Sequence, residues 1–268
     1  MNTSFSIFAY IKIKNIMEIY KVLNSHRSIR KYKPNAIPDD IINKIIEVGF
    51  RASNTGNMQL YSIIITQDKK LKQELWEIHF KQNMILEAPV IMTFCADINR
   101  FNKWCKLRNA EPGYDNFLWF YSASIDAILV SQNISIAAEA EGLGICYLGT
   151  TIYQAQKIID VLKLPKGVVP VTTIVIGYPD ENPDLVDRLP KKGIVHYEVY
   201  KDYSDDDIND IYSYKESLPE TLALLQQNNL PNLARIFTER RYVKKDNVYF
   251  SKEYLKVIDK QGFMNNND

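Results

Sequence analysis

Two guanidiniums and a hydroxyl fall within four residues at Arg27-Ser28-Ile29-Arg30, directly after His26. Arg27 and Arg30 are three apart, so helical geometry would set them on one face. Arginine stays charged at any working pH and its planar fork matches phosphate oxygens two at a time. Taken alone, such a pair is a solvated basic patch, but three other stretches have compatible chemistry. Residues 51–59 bring together Arg51, Ser53, Asn54, Thr55, Asn57 and Gln59. Amide side chains offer a donor and an acceptor side by side, which suits the edge of a planar heterocycle alternating C=O and N–H. In residues 141–150 the glycines Gly142, Gly144 and Gly149 let backbone approach a flat ligand closely. Arg188, between Pro183 and Pro190, sits in a stiff loop that can aim its charge with little ordering entropy lost.

Other chemistries are poorly supplied. The three histidines, His26, His79 and His196, are scattered, and Cys95, Cys105 and Cys146 match no zinc spacing, so no metal site is expected. P-loop, dinucleotide-fingerprint and serine-hydrolase elbow motifs are missing. With 33 basic and 32 acidic residues there is no field to attract nucleic acid or an anionic membrane. The odd cysteine count reads as reduced, buried thiols in a cytoplasmic protein.

The elements that must position these groups follow from periodicity. Residues 37–51 form a helix opened by a proline and two acids, and 61–66 a short β-branched strand. A helix over 68–80 and a buried strand over 89–96 come next. Residues 98–114 are mixed, with a turn at Pro112-Gly113, and read as a flap carrying Trp104. Residues 117–141 are apolar nearly all round, which implies burial on all sides, in a core or a subunit interface. Asp126, Gln132 and Glu139 argue against a membrane span there. Gly142 ends that helix, residues 144–149 make a short strand or turn, 153–164 a helix, 168–178 a strand, and the chain is helical again from Asp205 to Leu225. This alternation predicts one α+β domain over residues 17–263, with helices around a mixed or antiparallel sheet. Residues 1–16 are expected to be a disordered N-terminal extension, through an upstream start or a frayed end, and 264–268 a disordered tail.

Taken together, His26-Arg27-Ser28-Ile29-Arg30, the loop 53–59, Gly142-Leu143-Gly144 with Tyr147-Leu148-Gly149, and Gly177-Tyr178-Pro179 with Asn182-Pro183-Asp184-Leu185 and Arg188-Leu189-Pro190 occur in an order that resembles the FMN-dependent nitroreductase family. The likeness is strongest to the larger, NADPH-preferring branch of oxygen-insensitive nitroreductases and FMN reductases. It implies a central, mostly antiparallel sheet flanked by helices, a long interface helix and an intertwined homodimer with one FMN per subunit. By carry-over, His26, Arg27, Ser28 and Arg30 would hold the FMN phosphate and ribityl chain. Ser53, Asn57 and Gln59 would face the ring, the backbone of Tyr147, Leu148, Gly149 and Thr150 would pass its reactive edge, and Arg188 would reach the phosphate.

The implied activity is ping-pong transfer of hydride from NADPH or NADH, through FMN, to a small electron acceptor such as a nitroaromatic or quinone. No catalytic side chain is required of the protein. The alternatives are a flavin reductase that supplies reduced FMN to a partner, and a flavin-binding protein of low turnover. Val186-Asp187 stands where the branch carries Lys-Pro, so a positive charge is lost and a carboxylate gained. Weaker FMN retention follows unless Lys191 or Lys192 substitutes.

Overall fold

The computed structural model describes residues 19–265, so the expected N-terminal extension and residues 266–268 lie outside the described residues. The chain has two compact units, one running to Asp184 and resuming at Lys252, the other Leu185–Ser251.

The first unit is built on a four-stranded sheet. Strands β1 (Tyr61–Thr66), β2 (Val90–Asp97), β3 (Gly144–Tyr147) and β4 (Val168–Gly177) lie in the order β1-β2-β4-β3. Every pairing is antiparallel, with Tyr61 opposite Ala96, Met92 opposite Ile174, and Ile145 opposite Ile176. The expectation of an α+β fold around a mostly antiparallel sheet is met. A single parallel bridge, Ser28 to Ile145, adds residues 27–30 to the outer edge of β3.

β2 is apolar at every position but Thr93 and its last residue, Asp97, because both of its faces are covered. Side chains alternate between faces along a strand. Val90, Met92 and Phe94 pack with Ile42 and Ile45 of α1 (Asp39–Gly49) and with Ala127, Val130 and Ile134 of α5 (Phe117–Ala140). Ile91 points the other way, joining Leu75 and Ile78 of α2 (Lys69–Ile78), Met84 and Ile85 of α3 (Met84–Glu87), and Ile158 of α6 (Ala155–Leu162).

α5 begins where the Asn116 side chain accepts the Trp119 N–H, and it hands over to Gly142 in the left-handed conformation (φ 77°). Its inner stripe, Ala123, Ala127, Val130, Ile134 and Ala138, is fully buried. Its outer stripe is not: Leu118, Tyr121, Ile125, Ile128 and Leu129 are exposed in the single chain. Burial on all sides is therefore not achieved within one chain. Residues 98–114 are also more regular than expected, because α4 (Asn99–Leu107) occupies most of them. Phe101, Trp104 and Cys105 stand at i, i+3 and i+4, the helical spacing, beside the turn signal at Pro112-Gly113.

The second unit is helical. Ser204 and Asp207 form a reciprocal capping box at the start of α7 (Asp205–Ser217). The single helix expected through Leu225 is broken at Leu218, extended at ψ 138°, and Pro219 opens α8 (Pro219–Asn228). α9 (Leu233–Ile236) follows, and α10 (Lys244–Lys260), absent from the sequence reading, begins here. Among the described residues no helix is long and apolar enough to cross a membrane.

Candidate functional site

The predicted phosphate-binding residues lie on a short extended segment rather than a helix. Ile29 N–H donates to the Ile145 carbonyl at 2.9 Å, and Lys33 N–H to the Tyr178 carbonyl at 2.9 Å, so the segment is clamped between β3 and the turn after β4. Gly144 permits that approach: a Cβ there would stand 2.6 Å from Ile29 Cγ1. The Tyr32 phenol, held protonated by burial, donates to the Ile29 carbonyl at 2.5 Å.

This arrangement opens a groove of about 320 Å³, lined by Arg27, Glu139, Gly142, Gly144, Glu181 and Asn182 among others. Arg27 Nη1 donates to Asn182 Oδ1 at 2.5 Å, while Arg27 Nε is buried and has no partner. A buried, ionised donor left unpaired is costly, so an acceptor is expected to complete it. Both carboxylates of the groove already have partners. Glu181 Oε1 accepts the Arg30 N–H at 2.5 Å and the Lys31 N–H at 3.2 Å. Glu139 Oε1 lies 2.6 Å from His26 Nδ1, and burial pushes the Glu139 carboxyl up, against the lowering pull of His26. The donor left over, Arg27 Nε, could take an acceptor such as a phosphate oxygen. Ser28 and Arg30 flank the buried Cys146 thiol, which burial pushes up and their contacts pull down.

Residues 53–59 form a second group. Asn57 and Gln59 have positive φ, 56° and 53°, and Gly56 55°. Ser53 and Asn57 are exposed, and Gln59 Nε2 donates to Asn57 Oδ1 at 3.4 Å. Arg100 holds the Gln59 carbonyl and reaches the Tyr61 carbonyl at 3.4 Å. The buried Asp126 carboxylate accepts the Thr55 N–H at 2.8 Å and the Leu60 N–H at 3.2 Å. No hydrogen bond among the described residues links this loop to Arg27 or Arg30.

The third group follows β3. The Tyr147 hydroxyl lies 2.9 Å from Ser131 Oγ on α5, and burial pushes the phenol up. Leu148 is buried, and its N–H donates to the Thr173 carbonyl at 2.8 Å. Gly149 begins a short turn of 3-10 helix, in which Thr150 Oγ1 accepts from Gln82 Nε2 at 3.3 Å and meets His79 Nδ1 at 2.7 Å. The Thr150 hydroxyl has one proton and two lone pairs, so beside the Gln82 bond it can either donate to Nδ1 or accept from it. Nδ1 is satisfied either way, and Nε2 is the ring nitrogen left over. That nitrogen is buried without a partner. Burial lowers the His79 pKa to about 4.

Arg188 belongs to the second unit, where Nη1 donates to the Val186 and Asp187 carbonyls, both at 2.9 Å. Asp187 is not a bare charge, because Lys215 Nζ lies 2.8 Å from its carboxylate oxygens. Of the lysines offered as substitutes for the missing cation, Lys192 pairs with Asp210 and Lys191 lies 5.3 Å from the Tyr197 ring centre.

Sequence reasoning missed Asp126, Arg100, His79, Gln82, Glu139 and Asn182. Each acts on a segment distant in the chain, so spacing carried no sign of them.

The sheet, the clamped arginine segment and the glycine turn beside it define the class. The nitroreductase family matches residues 23–178, more than half of the chain, and the protein belongs to that family. An NADPH-dependent oxidoreductase of Staphylococcus haemolyticus is 31% identical over 210 residues, covering 75% of this chain and 82% of that one. The FMN reductase (NADPH) of Bacillus subtilis is 31% identical over 204 residues, with the same coverage. A crystal structure from Bacteroides fragilis matches with a TM-score of 0.90 at 50% identity, covering 91% of this chain and 100% of that one.

Proposed function

We propose that this protein is an NAD(P)H-dependent FMN oxidoreductase that acts as a homodimer and reduces small electron-poor molecules such as nitroaromatics and quinones. The observation that carries the reading is the buried, unpartnered Arg27 Nε in a groove beside the Gly142–Gly144 turn. Arg27 would take the FMN phosphate, with His26, Ser28 and Arg30 completing the cradle along the ribityl chain. Ser53, Asn57 and Gln59 would meet the ring, and the backbone of Tyr147, Leu148, Gly149 and Thr150 would flank it. FMN, when bound, supplies the chemistry, accepting hydride from NADPH or NADH and giving it to the second substrate in turn.

The homodimer is supported by the outer face of α5, where Leu118, Tyr121, Ile125, Ile128 and Leu129 expose apolar surface in one line. Such a stripe is the mark of an association surface. Asn57 and Gln59 have no bonded link to Arg27 or Arg30, which suits a ring gripped jointly by two copies. NADPH is favoured over NADH by the names of the Staphylococcus and Bacillus relatives.

Steady-state NADPH oxidation with and without a quinone tests the reading. The expected outcome is turnover that rises at least tenfold with quinone and gives parallel double-reciprocal lines, as a ping-pong reaction requires. Turnover that responds to added free FMN and not to quinone would select the flavin-reductase alternative. No oxidation with either would leave only a flavin-binding role.

A further inference from the structure

Asp126 is a carboxylate on an otherwise apolar stretch of α5, and it is 1% exposed. Burying a charge costs several kcal/mol unless hydrogen bonds replace its water. Here they do. Oδ1 accepts the Thr55 N–H at 2.8 Å and the Thr55 hydroxyl at 3.1 Å, and Oδ2 accepts the Leu60 N–H at 3.2 Å. These donors stand at the two ends of the segment that carries Asn57 and Gln59. Between them the backbone enters the left-handed region three times, at Gly56, Asn57 and Gln59. Two of those residues carry a Cβ, and such conformations persist only where the surroundings over-determine them. Arg100 adds a restraint by holding the Gln59 carbonyl, and the Gln59 N–H donates to Asn54 Oδ1 at 3.4 Å.

We propose that Asp126 is a positioning residue: by tying Thr55 to Leu60 it fixes the backbone that presents Asn57 and Gln59 to the flavin ring. The presentation to flavin rests on the function proposed above; the tie itself does not. An acceptor-only group is required, because three donors converge on it. Asparagine is nearly the same size, but its NH2 would face the N–H of Thr55 or Leu60, donor against donor. Ile125, next in the chain, lies on the exposed stripe of α5. One turn of helix therefore carries both the loop's anchor and the surface proposed to meet a second copy.

The test compares wild type with Asp126→Asn by hydrogen exchange in the absence of flavin, by FMN titration, and by the visible absorbance of the bound flavin. The Thr55 and Leu60 amides should exchange at least tenfold faster in the variant. Its FMN dissociation constant should rise at least tenfold, and the absorbance of the flavin that does bind should move toward that of free FMN. A merely structural loss would lower thermal stability and leave the spectrum of bound flavin unaltered. Thr55→Val removes only the hydroxyl bond and covers the case in which Asp126→Asn does not fold. It should weaken FMN binding by two- to threefold and leave the Leu60 amide protected. Unchanged exchange at Thr55 and Leu60, or unchanged affinity and spectrum with a freed loop, overturns the proposal. If wild type binds no FMN, the flavin reading fails, and the exchange comparison still decides whether Asp126 sets the loop.

Discussion

Arg27→Ala should weaken FMN binding by about two orders of magnitude. A hydrogen bond to a charged group contributes about 1.5–3 kcal/mol, which is roughly 10- to 150-fold in affinity. The upper part of that range applies for two reasons. Arg27 Nε is buried and unpartnered, so no competing bond is given up on binding. Nη1 is already fixed by Asn182 at 2.5 Å, so little side-chain freedom remains to be lost. Arg27→Lys should recover only a small part, because an ammonium is a point charge and cannot present Nε and Nη donors in one plane. Quenching of FMN fluorescence on titration with apo-protein measures both variants. An Arg27→Ala protein that binds FMN within threefold of wild type would show that the phosphate lies elsewhere.

The second large effect concerns stability as pH falls. Burial lowers the His79 pKa to about 4, against an ordinary histidine value of about 6.5 in the unfolded chain. Between those values the unfolded state binds the proton and the folded state does not, so protons favour unfolding. Stability is therefore full above about pH 6.5 and falls as pH drops toward 4, by about 3 kcal/mol at roughly 1.4 kcal/mol per unit. The cause is local. Nδ1 is occupied by the Thr150 hydroxyl, Nε2 has no partner, and a charged ring would have no anion to meet it. Urea unfolding at pH 7.5 and pH 4.5, for wild type and His79→Gln, isolates this from the titration of carboxylates. The variant should lose about 2.5 kcal/mol less than wild type over that interval. Equal losses would mean that His79 becomes charged without penalty.

Much of the fold was legible because its signals are local. The β-branched runs of β1 and β4 and the largely apolar run of β2 report strands, and β2 is covered on both faces. The Ile residues at helical spacing report α1, and Gly142 marks the end of α5 in the left-handed turn it adopts. α4 and α10 were not read as helices although both carry apolar residues at helical spacing, Phe101, Trp104 and Cys105 in one and Phe250, Tyr254, Val257 and Ile258 in the other; the turn at Pro112-Gly113 and the charged run over residues 239–245 outweighed them. The candidate site was legible in its basic segment, its glycine-containing segment and the polar loop 53–59, and not in the side chains that hold them. Asp126 could be read only as evidence against a membrane span, because the loop it holds lies 71 residues away at Thr55. Asn182 is 155 residues from Arg27, and His79 is 71 from Thr150. Asp187 looked like a bare negative charge in the sequence. Lys215 at 2.8 Å gives that charge a partner that no local pattern announces.

The most direct test of the central claim is the chromophore of the purified protein, released by denaturation and identified by chromatography, followed by titration of the apo-protein with FMN. The account predicts FMN, binding to saturation at one equivalent per chain. A colourless protein that takes up no FMN on titration, or one that releases FAD, would contradict it.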